Sequence, residues 1–134
     1  MESLQTSYNA KLGGKDDFAK LEPLMRVNCE KLALPWENYS VVANRILSDQ
    51  NLGKFVFVED SANEVVAFLF VTYEWSDWRD GLFFWLQGIE LKEGHDDVLP
   101  LLKDALESYA SKELGYRYCG LRLCSEKTKS KHFV

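Results

Sequence analysis

Two apolar runs, residues 64–73 and 82–91, constrain the fold of this chain more than any other feature. Both are rich in Val, Leu and Phe, and neither alternates cleanly between apolar and polar residues. A strand with one solvated face alternates. A strand that is apolar on both sides belongs to a sheet covered on both faces. The stretch between the runs, residues 74–81, is polar and bears two Trp residues, so the runs read as a hairpin with a longer connection.

The rest of the chain supplies helices to cover such a sheet. After Gly13-Gly14, Asp16 and Asp17 offer N-caps, and Phe18, Leu21, Met25, Cys29 and Leu32 recur at helical spacing. Pro23 interrupts this helix or marks the first turn of its main part. A second helix is expected over 37–49, with Val41, Val42, Ile46 and Leu47 on its apolar side. The strongest helix is expected to be capped by Asp96 or Asp97 and to stop at Gly115 after Leu114. Its buried stripe is Val98, Leu102, Ala105, Leu106, Tyr109 and Ala110. A weak strand is expected over 6–12, a short one over 54–59 and a last, clear one over 116–124. The order β-α-α-β-β-β-α-β predicts an α+β fold, a mixed sheet with helices on both faces. The unit from Leu82 to Cys124 predicts a right-handed parallel crossover. Its helix starts at the carboxyl edge of a strand, where α/β units place anions.

A length of 134 residues fits one domain, residues 1–134, with 125–134 as a flexible tail. A formal charge of −5 argues against nucleic acid as a partner, because a phosphate backbone needs a clustered basic face. The basic run from Lys127 to His132 reads as a solvated terminus. No run is long and apolar enough for a membrane span, and residues 1–10 are too polar for a signal peptide. Cys29, Cys119 and Cys124 are odd in number and irregularly spaced, so free thiols are expected, with neither a disulfide framework nor a metal site. An intracellular, cytoplasmic protein is the expectation.

The wording of residues 66–91 resembles the GNAT superfamily of N-acetyltransferases, and is most similar to its diamine branch, the spermidine/spermine and thialysine acetyltransferases. The residues that carry the resemblance are the strand Val66-Ala67-Phe68-Leu69-Phe70-Val71-Thr72-Tyr73, the stretch Trp75-Ser76-Asp77-Trp78-Arg79, and the strand Trp85-Leu86-Gln87-Gly88-Ile89-Glu90-Leu91. The resemblance implies a GNAT-like mixed sheet, acetyl-CoA as cofactor and a small amine or diamine as acceptor. By position it puts Ile89, Leu91, Gly94, His95, Asp96 and Asp97 at the cofactor, and Trp75 and Trp78 at the substrate. Aromatic faces beside Asp77 and Asp80 would suit a cation. The other reading is that one Trp covers the sheet edge and the second anchors the hairpin.

The chain also departs from the family pattern. The family's cofactor loop is Gln/Arg-x-x-Gly-x-Gly/Ala, whereas here the loop reads Lys92-Glu93-Gly94-His95-Asp96-Asp97. Two carboxylates stand where a pyrophosphate would land, and Pro100 removes a donor from the first turn. The family's catalytic Glu is matched by Gln87, which cannot act as a base. Glu90 could replace it only if a bulge near Gly88 turned it toward the cleft; otherwise it is a solvated strand-end carboxylate. The family's Tyr acid and closing C-terminal strand have no counterpart before Val134. These departures predict a degenerate acetyltransferase-like domain acting through protein contact, as a homodimer or with a partner at an open sheet edge. The alternative is an active, acetyl-CoA-dependent N-acetyltransferase.

Overall fold

The computed structural model describes residues 7–123. Its elements follow the expected order. Strand β1 is Asn9–Leu12, α1 is Phe18–Lys31, α2 is Trp36–Ser48, β2 is Gly53–Glu59 and β3 is Val65–Ser76. Then come β4, Gly81–Leu91, α3, Leu99–Leu114, and β5, Tyr118–Arg122. The five strands form one sheet in the order β1-β2-β3-β4-β5. Strands β1 to β4 pair antiparallel, and β5 joins β4 in parallel. The fold is α+β with a mixed sheet, as the order of elements predicted.

Both faces of the sheet are covered, which is why β2 and β3 do not alternate. One face packs Phe55, Phe57, Phe68 and Phe70 under α1 and α2, against Leu21, Met25, Ala43 and Ile46. The other packs Val56, Val58, Leu69, Val71 and Phe84 against Val98, Leu102, Leu106 and Ala110 of the α3 region. A second tie to α3 comes from Lys54, buried in β2, whose Nζ meets Glu113 Oε1 at 2.7 Å.

Several local expectations are corrected. Pro23 lies inside a continuous α1, one turn from its start. On α2 the buried residues are Tyr39, Ala43, Ile46 and Leu47, while Val41 and Val42 are exposed. Residues 74–76 belong to β3, so the polar hairpin connection shrinks to the turn at 77–80. Tyr116 and Tyr118, which read as packing residues of the last strand, differ: Tyr116 is exposed, whereas Tyr118 rests on Phe84 with ring centroids 4.9 Å apart. Cys29 is a buried free thiol, and Cys119 is a free, half-buried one. Cys124 and the predicted tail lie outside the described residues.

Candidate functional site

Strand β4 carries a bulge at Gln87. Phe70 lies opposite Gly88 and Val71 opposite Leu86, so Gln87 is the extra residue. Before it, Leu82, Phe84 and Leu86 face α3; after it, Ile89 and Leu91 do. The phase of the strand has shifted by one, which brings Gln87, Gly88 and Glu90 all to the side of α1 and α2. Only glycine fits at position 88. A Cβ there would stand 2.4 Å from Phe70 Cε1 and 2.9 Å from Asn28 Oδ1.

The bulge turns Glu90 under α1, where it is only 4% exposed, so it is not a solvated strand-end carboxylate. Lys31 Nζ sits 2.5 Å from its Oε2, and Asn28 Nδ2 donates to Oε1 at 3.3 Å. The same Asn28 amide donates to the Ile89 carbonyl at 2.9 Å, and its Oδ1 accepts from the Tyr39 hydroxyl at 2.7 Å. Burial, then the neighbouring Cys29 and Glu90, holds the Tyr39 hydroxyl protonated far above the usual phenol range. With both carboxylate oxygens engaged, Glu90 ties α1 to β4 and lies off the adjacent cavity.

Gln87 lines that cavity, whose volume is about 350 Å³. Leu32, Leu34, Val42 and Phe70 form its walls, and Asn38, Tyr39, Thr72 and Gln87 supply its polar groups. Gln87 Nε2 donates to Thr72 Oγ1 at 2.8 Å, which fixes the amide and leaves its Oε1 as an acceptor. Sequence reasoning singled out Gln87 but missed Asn28, Tyr39 and Thr72. The signal for Asn28 was present: it is a polar residue inside the stripe Leu21, Met25, Cys29.

On the other side of the bulge, β4 has no strand beside it among the described residues. Within them, strand β5 pairs with it from Leu82 to Trp85. The Lys92 amide still donates to Val66 of β3 at 2.7 Å. Backbone groups of alternate residues point to opposite edges, so those of Ile89 and Leu91 point away from β3, to the side β5 has left. Asn28 takes the Ile89 carbonyl; among the described residues the Ile89 amide and both Leu91 groups are left for an extended ligand carrying amides. This edge runs into the turn at 92–95, which His95 closes with an amide bond to the Lys92 carbonyl at 3.0 Å. Gly94 adopts φ +86° with open space around it. His95 Nδ1 meets the Tyr8 hydroxyl at 3.0 Å, which ties the turn to the residue just before β1.

A 3-10 turn, Asp96–Val98, then leads into α3. Its N-cap is His95 and that of α3 is Val98, and neither makes a side-chain cap bond. The expectation that Asp96 or Asp97 caps the helix is therefore corrected. Both carboxylates are exposed. The Val98 amide donates to the His95 carbonyl at 3.2 Å, the Leu99 amide donates to the Asp96 carbonyl and Pro100 has no N–H, so the orphan amides of this helix start are those of Asp96 and Asp97. Extended edge, glycine turn and helix N-terminus together fit a ligand with an amide-bearing arm and a phosphate group. Two exposed carboxylates oppose that phosphate, at about 1 kcal/mol for a water-screened contact near 4 Å.

The two Trp residues do not share Gln87's cavity. Trp75 stands opposite Leu82 and lines a separate groove of about 490 Å³ on the α3 side, with Tyr73, Phe84 and Glu113. Trp78 is 92% exposed in the hairpin turn. Leu82 and Gln87 are five residues apart on one strand, roughly 17 Å. No group of His, Cys, Asp and Glu among the described residues could hold a metal ion. Nor is any helix of the described residues long and apolar enough to cross a membrane.

No family model matches the chain, and no curated protein matches it. Solved structures do. A possible acetyltransferase from Clostridium difficile 630 aligns with a TM-score of 0.73 at 22% identity, over 94% of this chain and 86% of that one. An aminoglycoside N-acetyltransferase in complex with CoA aligns with a TM-score of 0.71 at 10% identity, over 95% and 82%. A predicted acetyltransferase from Clostridium acetobutylicum, solved with acetyl-CoA, aligns with a TM-score of 0.63 at 10% identity, over 96% and 90%. Bulge, parallel strand and crossover helix thus sit in a sheet of known architecture: this chain has the GNAT fold.

Proposed function

We propose that this chain is an acetyl-CoA-dependent N-acetyltransferase whose amine acceptor binds at Gln87. One observation carries the reading: the bulge of β4 separates a strand edge that is open among the described residues from a cavity, with a glycine turn and a helix N-terminus at the end of that edge. The likeness to acetyltransferases solved with CoA and acetyl-CoA supports it. Ile89 and Leu91 would hold the amide-bearing arm, and the amides of Gly94, Asp96 and Asp97 the pyrophosphate. Bound acetyl-CoA supplies an acyl group activated as a thioester.

The chain's own groups bind and orient the amine. Gln87 Oε1 accepts an amine N–H and so aims the nitrogen lone pair without acting as a base. The apolar walls disfavour the ammonium form, so more of the bound amine is neutral. One proton leaves to water at the cavity mouth, since Glu90 is engaged by Lys31 and Asn28; as the amine nitrogen takes the acetyl group from sulfur, its second proton would end on the departing CoA thiolate. Mass spectrometry of a primary amine incubated with acetyl-CoA and the chain tests this reading directly. An acetylated amine is expected, and its loss in Gln87→Ala ties the activity to the cavity.

A second reading is a degenerate domain acting by protein contact. The exposed Asp96 and Asp97 favour it, and so does β5, which ends the sheet among the described residues. It makes the chain a homodimer or the binder of another protein at that edge. Light scattering that finds a dimer, together with no acetyl transfer, is the result this reading expects.

A further inference from the structure

We infer that the cavity beside Gln87 accepts a primary amine on an uncharged apolar body, preferably an aromatic one, and discriminates against diamines and polyamines. The acetyl step of this inference rests on the transferase reading above; the binding preference does not.

The cavity has the size of a small-molecule site and walls of Leu32, Leu34, Val42 and Phe70. Its polar groups are a carboxamide pair, a hydroxyl and a buried phenol, none of which carries charge. Among the described residues no carboxylate lines it. The carboxylates near it are engaged elsewhere. Glu90 is held by Lys31 and Asn28. Glu74, on the same sheet face as Thr72, accepts from Trp85 Nε1 at 2.6 Å and faces Arg122 at 3.5 Å. A second ammonium drawn into this space would lose its hydration and find no counter-charge.

An apolar body gains what the ammonium loses. Tyr39 and Phe70 meet edge to face, with centroids 5.9 Å apart, and Trp36 stacks behind Tyr39 at 5.7 Å. A ring in the cavity would extend this cluster. The inference also accounts for two apolar residues that the core does not use. Leu34 and Val42 are 40% and 46% exposed, and both lie on the cavity lining.

The test is calorimetric titration of the full chain with 2-phenylethylamine and with 1,4-diaminobutane, without cofactor, followed by acetyl-transfer rates for both amines. The wild-type chain is expected to bind 2-phenylethylamine at least about tenfold more tightly, the equivalent of one unfavourable charge contact. Val42→Glu puts a carboxylate at the mouth on an exposed helix position, with folding checked by circular dichroism. It should narrow or reverse the preference. Diamine binding equal to or tighter than that of 2-phenylethylamine in the wild type would overturn the inference, as would a preference that Val42→Glu leaves unchanged. Preferential binding of the aromatic amine with no acetyl transfer supports the cavity assignment and counts against the transferase reading alone.

Discussion

Lys31 of α1 and Glu90 of β4 meet at 2.5 Å across the helix–sheet boundary, and Asn28 takes the carboxylate's second oxygen. The carboxylate one turn of strand beyond Gln87 is thus part of the scaffold. Glu90→Gln should lower stability by about 1–3 kcal/mol, the cost of weakening a buried charge-assisted bond, while acetyl transfer stays within a few-fold of wild type. A general base would show itself by a loss of about 100-fold or more. Urea unfolding and steady-state rates on the same variant separate the two roles.

Asp96 and Asp97 are exposed and cap nothing. Replacing both by Asn should therefore leave the thermal midpoint nearly unchanged. It should also tighten acetyl-CoA binding by about thirtyfold, from roughly 1 kcal/mol of screened repulsion per carboxylate. The gain should shrink as salt is added. An unchanged dissociation constant at low salt would remove the electrostatic argument.

Gly88 sits where a methyl group would strike Phe70 and Asn28. Gly88→Ala must push the ring or helix α1 aside, at about 1–3 kcal/mol of overpacking. Because the same contact shapes the cavity, amine affinity should fall together with stability. Chemical denaturation and amine titration of this variant check both effects.

Glu59 is buried in β2 and bonded by Lys11 and Lys20, which join β1 and α1 to the central sheet. The Lys11 hydrogen bond first, then that of Lys20, holds its carboxyl below the usual carboxylate range. A folded value below the unfolded one means the stabilisation is fully present above the unfolded pKa, about 4.3. It is lost as pH falls through the folded value. Unfolding free energy should therefore drop more steeply below pH ~4 in the wild type than in Glu59→Gln, which at pH 7 should already be less stable by about 1.5–3 kcal/mol.

Much of this fold was legible because burial leaves long signals. The runs that became β3 and β4, the Gly115 stop and the stripe of α3 all follow from periodicity. The strand ends were not, since Trp75 and Ser76 look like loop residues yet pair with Leu82 and Gly81. Val41 and Val42 read as core because they are apolar, while α2 buries Tyr39 and Ala43 one turn apart instead. The site was legible in part. Leu82, Phe84 and Leu86 keep one phase and Ile89 and Leu91 the other, so the bulge is written in the alternation. What Glu90 would meet there was not, because Asn28 and Lys31 lie about 60 residues away in sequence. Capping by Asp96 or Asp97 failed for a local reason: a 3-10 turn intervenes before α3 and puts Val98 at its cap.

Calorimetric titration of acetyl-CoA into the purified chain tests the central claim most directly. Saturable, one-to-one binding that Asp96→Asn/Asp97→Asn strengthens is the result this account predicts. No binding even at millimolar cofactor would contradict it, and would leave the open edge of β4 as a remnant in a fold that works by contact.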